Sequence, residues 1–214
     1  MIIDYKNNKE FALANGVKPE NAFGEVHFSQ GKVVTDTTFC NFGHLCVEKT
    51  IFENCTFENC QTVSFESCQI KNCNFKNVCS IEGARTNFYG CLFKECCSDG
   101  PLLTIDSYGQ AKGCTFETIT ALGDQGYVIW SGYGKKHEVE MVVDCKFIDC
   151  QVESEDKELC HCYYFKPLSS FRTVQVDNLD YESCHFDNCT TIAETLRSES
   201  DIEIIGSFVS EDDL

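Results

Sequence analysis

The residues of this 214-residue chain that are most able to do chemistry are its 17 cysteines, because thiols bind metals, form disulfides and act as nucleophiles. One local cluster, Cys160-His161-Cys162, joins two thiols to an imidazole. Successive residues of a β-strand point to opposite faces, so the two thiols would share one face and His161 would lie on the other. One metal ion cannot easily reach all three from a straight strand. We interpret the cluster as two core thiols beside an exposed imidazole.

Most other cysteines recur at fixed places in a repeated pattern, and the residues that replace them indicate their role. Some coils carry Thr, Val, Ile or Phe where others carry Cys, and such replacements abolish metal ligation but keep the packing. The pattern predicts buried, reduced core thiols, no metal and no cofactor. Disulfides between coils stay an alternative, because stacked Cα atoms about 4.8 Å apart are within range, although parallel Cβ vectors would strain them. The first column is Thr37, Cys55, Cys73, Cys91, Cys114, Cys145 and Cys184, and the second is Phe42, Cys60, Val78, Cys96, Ile119, Cys150 and Cys189.

No arrangement of catalytic residues emerges from the sequence. Alternation along a strand would point Cys184 inward and His185 outward, so these two do not form a nucleophile–base pair. Asp106 and Glu194 could act as paired carboxylates, but their strands are about three coils apart, roughly 14 Å, which is too far. The chain has no nucleophile elbow, phosphate-binding loop or dinucleotide fingerprint. The catalytic residues stay unassigned, and a non-catalytic protein is favoured.

A repeat of 18 residues indicates the elements that would position these side chains. Cys55 and Phe57, two apart, share one face of a strand, and Asn follows at the corner, where it tolerates a left-handed backbone and can hydrogen-bond between coils. One coil cannot cover its apolar face, but stacked coils can. The repeat predicts an all-β, single-stranded parallel β-helix. The columns are Phe39, Phe57, Phe75 and Phe93, continued at Phe116, Phe147, Phe186 and Phe208; Val34, Phe52, Ile70 and Phe88; and Leu45, Val63 and Ile81.

Two families share parts of this pattern. Residues 50–79 resemble pentapeptide-repeat proteins, in units such as Cys55-Thr56-Phe57-Glu58-Asn59 that place a small residue two before a central Leu or Phe. Residues 34–209 are similar to right-handed parallel β-helices of the pectin-lyase-like kind, which have irregular coils with loops at the corners. The second resemblance implies a right-handed coil and raises polysaccharide cleavage as a function. The calcium-binding Asp cluster of such lyases has no match here, and the arginines are only Arg85, Arg172 and Arg197.

The domain organisation follows from where the columns begin and where the coils expand. Residues 1–33 are predicted to be an N-terminal cap, with a short helix over 10–16 that ends at Gly16. Residues 34–209 would form the β-helix, and residues 210–214 an acidic tail. Longer gaps in the Phe column predict loop insertions in the C-terminal half. The strand-like runs between these loops are expected to stack as one sheet, and they are 102–106, 127–131, 159–165 and 191–196.

Charge and hydrophobicity exclude several classes of partner. The formal charge is −17, and residues 150–214 hold 15 of the 34 acidic residues but 4 of the 17 basic ones. Direct nucleic-acid binding through a basic face is therefore not expected. No run of about 20 apolar residues could cross a bilayer, and the first residues do not resemble a secretory signal. These features predict a cytoplasmic protein with reduced thiols and no membrane partner, and they leave the oligomeric state open.

Aromatic and charged residues on the expanded coils form the candidate binding surface. If they point outward, they make a patch suited to recognising a sugar or a peptide; the alternative is that alternate members are core. Long loops on a rigid scaffold often carry binding residues, so we expect the functional surface between residues 123 and 172 and not on the tight coils of residues 34–96. The candidate residues are Trp130, Tyr133, Lys136, His161 and Tyr163.

Three functional hypotheses follow. The first is a non-catalytic binding or scaffold protein with a protein or carbohydrate ligand. The second is a carbohydrate-active enzyme or carbohydrate-binding protein that uses the outer face of the expanded coils. The third is an acidic, DNA-mimic-like inhibitor of a nucleic-acid enzyme, which is implied by the resemblance to acidic pentapeptide-repeat rods. Outward carboxylates around a groove would favour the second hypothesis, and a smooth acidic face would favour the third.

Overall fold

The computed structural model describes residues 1–28, 33–106, 108–123, 125–131, 142–153, 160–162 and 184–191. Its strands are short, with two to five residues each. In chain order the elements are β1 (Ile2–Asp4), α1 (Lys9–Ala14), β2 (Val17–Lys18), β3 (Glu25–Phe28), β4 (Val33–Thr35), β5 (Thr38–Cys40), β6 (His44–Glu48), β7 (Ile51–Glu53), β8 (Thr56–Glu58), β9 (Thr62–Glu66), β10 (Gln69–Lys71), β11 (Asn74–Lys76), β12 (Ser80–Ala84), β13 (Asn87–Tyr89), β14 (Leu92–Lys94), β15 (Cys97–Asp99), β16 (Leu103–Ile105), β17 (Gln110–Lys112), β18 (Thr115–Glu117), β19 (Thr120–Leu122), β20 (Ile129–Ser131), β21 (Val142–Val143), β22 (Lys146–Ile148), β23 (Gln151–Val152), β24 (Cys160–Cys162), β25 (His185–Asp187) and β26 (Thr190–Thr191).

The strands form four sheets, and successive strands of one sheet come from successive coils. All pairs are parallel except β2 with β3. This arrangement confirms the predicted all-β parallel solenoid, while the handedness of its coil stays a prediction. Sheet A is β1-β5-β8-β11-β14-β18-β22-β25, sheet B is β2-β3-β6-β9-β12-β16-β20-β24, sheet C is β4-β7-β10-β13-β17-β21, and sheet D is β15-β19-β23-β26.

Each tight coil visits sheets C, A and B in turn, with one strand in each. From β15 onward the chain adds a strand of sheet D between sheets A and B, so the expanded coils have a fourth side. The runs 102–106, 127–131 and 159–165 contribute β16, β20 and β24 to sheet B, as predicted. The expectation is wrong at the start of the fourth run, because Thr191 belongs to β26 of sheet D. The added side takes up part of the longer coil that the sequence analysis assigned to loops.

A stack of phenylalanine rings runs through the core behind sheet A. Phe57 and Phe75 lie 5.0 Å apart between ring centroids with a 9° interplanar angle, and Phe93 and Phe116 lie 4.5 Å apart at 5°. The column continues in register to Phe147 across the longer coils, so the insertions leave the core unchanged. Rings from sheets B and C meet this stack edge-on, as Phe65 does with Phe57. The predicted Phe column is confirmed over the described residues.

The described ladder cysteines are buried, as predicted, except Cys184, which is half-buried. The buried thiols also satisfy backbone carbonyls. The Cys60 thiol donates to the carbonyl oxygens of Glu58, 3.4 Å away, and Phe39, 4.0 Å away on the preceding coil. The Cys91 thiol makes the same pair of contacts with Tyr89 and Ile70, at 3.6 and 3.4 Å. Burial raises the pKa of the Cys60 thiol to about 11, which keeps it protonated and able to donate. The sequence suggested that Cys recurs in these columns because it is small. The structure adds a second reason, which is that its thiol donates to backbone carbonyls.

Threonine can stand in for cysteine because its hydroxyl makes the same contacts. A third column lies between sheets B and C. There Thr86 Oγ1 donates to the carbonyls of Ala84 at 3.0 Å and Phe65 at 3.3 Å. One coil earlier, the Cys68 thiol makes the equivalent contacts with the carbonyls of Glu66 and Val47. The fifteen cysteines whose side chains the structure describes are free thiols, so no disulfide joins coils among them. The ladder is a column of weak donors within an apolar core.

The corners use the left-handed conformation that the Asn positions predict. Asn54, Asn59, Asn72 and Asn77 have φ between 51° and 55°. The side chain of Asn77 donates from Nδ2 to Asn59 Oδ1 at 2.8 Å, which links two coils. Asn accepts this backbone at lower cost than most other L-residues, so the corner can repeat without glycine.

The first 28 residues combine a helical cap with two strands of the solenoid. The helix α1, predicted over 10–16, spans Lys9–Ala14 and buries Ala12. The side chain of Asn8 caps its N-terminus by accepting from Phe11 N at 3.2 Å. Strands β1 and β3 pair with β5 and β6, so sheets A and B begin before residue 34, where the 18-residue columns start. The helix, six residues long, is too short to span a membrane.

Candidate functional site

Two of the five residues predicted to form the binding surface lie in the described structure, and they are neighbours. Trp130 on β20 and His161 on β24 are directly paired in register on sheet B. Trp130 is half-buried. Tyr133, Lys136 and Tyr163 lie outside the described residues.

Trp130 belongs to a column of residues that runs along the outer face of sheet B. The alternate positions on the same strands, such as Val63 and Ile81, are buried in the core. Because side chains alternate across a strand, the intervening column faces outward. From the N-terminal end it reads His27, Cys46, Ser64, Glu82, Thr104 and Trp130, and His161 is the next position in register.

The N-terminal end of this column brings together an imidazole, a thiol and a carboxylate. Glu25 and His27 are two apart on β3, and Cys46 is the register partner of His27 on β6. Their potential ligand atoms all lie within 4.8 Å of one another, and all three residues are half-buried. Glu25 Oε2 lies 3.8 Å from His27 Nε2, and Glu25 Oε1 lies 3.9 Å from Nδ1 of His44 on β6. This arrangement was not predicted from the sequence.

A one-residue difference in coil length hid this cluster from the sequence analysis. Val26 pairs with Leu45, so the first coil of sheet B is 19 residues long, whereas the columns repeat every 18. An 18-residue search therefore ends at Leu45 and misses β3. The available signal was the alternation Glu25-Val26-His27-Phe28, which places two polar side chains on one face and two apolar ones on the other.

A chain of hydrogen bonds links the cluster to the next two coils. His44 Nε2 lies 2.8 Å from Ser64 Oγ, and Ser64 Oγ donates to Glu82 Oε2 at 2.7 Å. Ser64, His44 and Glu25 stand in the order serine, histidine, carboxylate, which resembles a nucleophilic triad. However, the Ser64 hydroxyl donates to Glu82 and not to the imidazole. The strand that carries Ser64 is also paired on both sides, so its amides are committed to the sheet and cannot bind an oxyanion. This geometry does not support acyl transfer.

A groove of about 230 Å³ crosses β6, β9 and β12 on the same face, and His27 and Cys46 of the cluster also line it. Glu48 and Glu66, which are paired in register, lie in its wall with Glu82. Arg85 contacts the carboxylate of Glu66. Burial, together with the smaller effect of the nearby carboxylates of Glu25, Glu82 and Glu48, raises the pKa of the Cys46 thiol to about 11. The groove and the adjoining cluster therefore share a negative potential.

The fold and this surface define the class of protein: a parallel β-helix with one chemically distinct outer face. No protein-family model matches the sequence, and no curated protein matches it. Among solved structures, the chain is similar to two trypsin-treated forms of QnrB1, a plasmid-mediated fluoroquinolone resistance protein. They are 13% and 14% identical, with TM-scores of 0.23 and 0.20, and the matches cover 87% of this chain and 97% and 96% of theirs. Likeness of this degree carries no argument about function.

Proposed function

We propose that the protein is a non-catalytic β-helical binding protein, and that the outer face of sheet B receives a basic side chain of a protein partner. The observation that carries this proposal is the groove across β6, β9 and β12, which has three carboxylates in its wall. A lysine ammonium or arginine guanidinium complements such a site, because charge-assisted hydrogen bonds to carboxylates are among the stronger ones in proteins.

The groove has more negative than positive charge available to a ligand. Arg85 already contacts Glu66. Among the described residues, no Lys or Arg forms an ion pair with Glu48 or Glu82. Glu82 accepts a hydrogen bond from Ser64, which orients its carboxylate. A cation that entered the groove would therefore meet two carboxylates that lack a basic partner.

The size of the groove favours a single side chain over a larger ligand. Sites for small molecules commonly enclose about 300–1,000 Å³. The groove, at about 230 Å³, is below that range. This volume suits the end of one Lys or Arg side chain, whereas an oligosaccharide would have to lie across the sheet. Lysines such as Lys71 and Lys94 interrupt the acidic residues on sheets A and C, so the described part of these sheets gives no smooth acidic face for a DNA mimic.

The test measures binding of a fluorescein-labelled hexalysine peptide by anisotropy, with EDTA present to remove metal ions. We expect the double variant Glu48→Gln/Glu82→Gln to bind the peptide at least about tenfold more weakly, equivalent to roughly 1.4 kcal/mol. The affinity should also fall as salt is raised, because ions screen partly exposed pairs.

The matched control removes two charges elsewhere, with Glu20→Gln in the N-terminal region and Glu58→Gln on sheet A. This control is essential, because a protein of charge −17 attracts any polycation non-specifically. The control should keep the affinity of the parent protein within about twofold, which corresponds to at most about 0.4 kcal/mol. Equal weakening by the two double variants would show that the groove is not the site.

Trp130 favours carbohydrate binding as a second candidate function. Its indole lies on the same outer column, half-buried and next to Thr104, and such a ring can stack on a sugar. Because it is the only tryptophan in the chain, its fluorescence reports on this place alone. Neutral oligosaccharides should shift or quench that emission, and Trp130→Ala should abolish their binding measured by calorimetry. Unchanged emission at saturating oligosaccharide would eliminate this candidate.

A further inference from the structure

We propose that Glu25, His27 and Cys46 form a binding site for Zn²⁺ or a similar divalent transition-metal ion on the outer face of sheet B. The proposal goes beyond partner binding and does not depend on it. It departs from the metal-free protein predicted from the cysteine columns, because Cys46 lies outside both columns. The ion would be held by one carboxylate oxygen, one imidazole nitrogen and one thiolate sulfur.

The sheet brings the three ligands together from two adjacent strands. Glu25 and His27 share the outer face of β3, and Cys46 stands beside His27 on β6. Their ligand atoms lie within 4.8 Å of one another. Around a tetrahedral zinc ion, with bonds of about 2.0–2.3 Å, ligand atoms are roughly 3.4–3.8 Å apart. Side-chain rotations that bring these ligand atoms about an ångström closer together would reach that spacing.

Neighbouring groups already orient the carboxylate, as they do in established metal sites. Asn21 Nδ2 donates to Glu25 Oε2 at 2.8 Å, and Asn21 Oδ1 accepts from the backbone N–H of Glu25 at 3.1 Å. His44 Nδ1 approaches Glu25 Oε1 from the other side at 3.9 Å, and Ser64 holds the opposite nitrogen of that ring. Such outer contacts fix the position and basicity of a ligand. We assign His44 as a positioning residue.

The ligand types select the class of metal. Imidazole and thiolate favour zinc, cobalt or nickel over calcium or magnesium, which prefer oxygen ligands. Three protein ligands leave a fourth position for water or an external ligand. In the part of the chain that the structure describes, no other three His, Cys, Asp or Glu side chains bring ligand atoms this close. A divalent ion would also offset the carboxylates of Glu25, Glu48 and Glu82 near the Cys46 thiol.

The experiment titrates the full-length, reduced protein with Co²⁺ and follows its absorption, then displaces the cobalt with Zn²⁺. We expect one equivalent to bind, with a thiolate-to-cobalt charge-transfer band and visible bands of tetrahedral intensity. Cys46→Ser should abolish the charge-transfer band. His27→Ala and Glu25→Gln should weaken zinc binding at least about tenfold, and His44→Ala by about tenfold, as for an outer-contact residue.

Two matched controls exclude adventitious binding to surface residues. Cys79→Ser removes an exposed thiol and His185→Ala an exposed imidazole, both away from the cluster. Both controls should keep the parental spectrum and affinity. Because the three ligands face outward, all variants should retain the parental circular dichroism and urea midpoint, which separates lost binding from lost folding.

Three results would overturn the proposal: a cobalt spectrum without a thiolate band, full zinc affinity in both Cys46→Ser and His27→Ala, or equal loss in the control variants. Failure here is distinguishable from failure of the proposed partner binding. The peptide assay contains EDTA, whereas the metal titration contains no peptide, so each can fail alone.

Discussion

The outer faces of sheets A and C differ from the outer face of sheet B, although all three cover the same core. On sheets A and C, opposite charges pair between neighbouring coils, as in Lys71 with Glu53 at 3.2 Å and Lys94 with Glu117 at 2.6 Å, although Lys76 and Lys94 are also in register on sheet A. On sheet B, two carboxylates, Glu48 and Glu66, are directly paired in register. Like charges opposite each other destabilise a sheet, whereas opposite charges support it slightly.

The difference indicates which outward residues contribute to folding and which are not needed for it. Buried residues behind all three sheets keep the same columns, so folding does not demand imidazole, thiol or unpaired carboxylates on sheet B. Residues that cost some stability and are not needed for packing are candidates for function. The binding and metal proposals both place function on this face, on tight coils and not only on the expanded ones.

The largest expected effect tests the core that the compared faces share. Phe75→Ala should lower the free energy of unfolding by about 3–5 kcal/mol, because it removes one ring from a continuous buried stack. Urea denaturation of purified variants measures this change. Lys76→Ala, on the adjacent outward position, should change stability by less than about 1 kcal/mol. Equal effects at residues 75 and 76 would mean that the two positions do not differ in burial.

The second effect is a loss of stability at alkaline pH through the thiol ladder. Burial raises the pKa of Cys60, Cys68 and Cys96 to about 11, against 9.0 for an unperturbed thiol. The folded state keeps protons that the unfolded chain releases, so this stability is complete below pH 9 and is lost as the pH rises to 11. Each thiol should account for roughly 2 kcal/mol. Urea denaturation in reducing buffer at several pH values measures the loss.

Cys60→Val is the informative variant, because Val78 occupies the same column on the next coil. It should retain roughly 2 kcal/mol more of its neutral-pH stability at pH 11 than the parent retains. The exposed Cys79→Val serves as the control and should follow the parent. An identical alkaline loss in Cys60→Val would show that the Cys60 thiol does not contribute.

The smallest effect tests the comparison of faces directly, through its sign. Lys71→Ala should destabilise the protein by less than about 1 kcal/mol, because it removes one exposed ion pair. Glu48→Gln should instead raise stability by a few tenths of a kcal/mol, because it relieves repulsion from Glu66. Denaturant titrations at low salt measure both. Destabilisation by Glu48→Gln would contradict the claim that the paired carboxylates of sheet B lower the stability of the protein.

The sequence by itself was sufficient for the architecture of the tight coils. An 18-residue period places Phe57 over Phe75 and Cys55 over Cys73, because equal coils bring equal positions into register whatever the detailed rotamers are. It was also sufficient to predict buried thiols and Asn at the corners. The pairing of Phe116 with Phe147 could be anticipated across a 31-residue gap, since a buried column must continue for the core to close.

Only the tertiary structure decided what lies together outside the core. Sheet D and the 19-residue first coil depend on how unequal coils align. The contacts between thiols and carbonyls of the preceding coil depend on the side-chain rotamers. Glu25 and Cys46 are 21 residues apart, and their proximity follows from that alignment together with the chosen side-chain rotamers. Periodicity constrains buried columns because packing penalises misfits, but it leaves outward side chains unconstrained. The candidate site therefore became visible only once the coils were stacked.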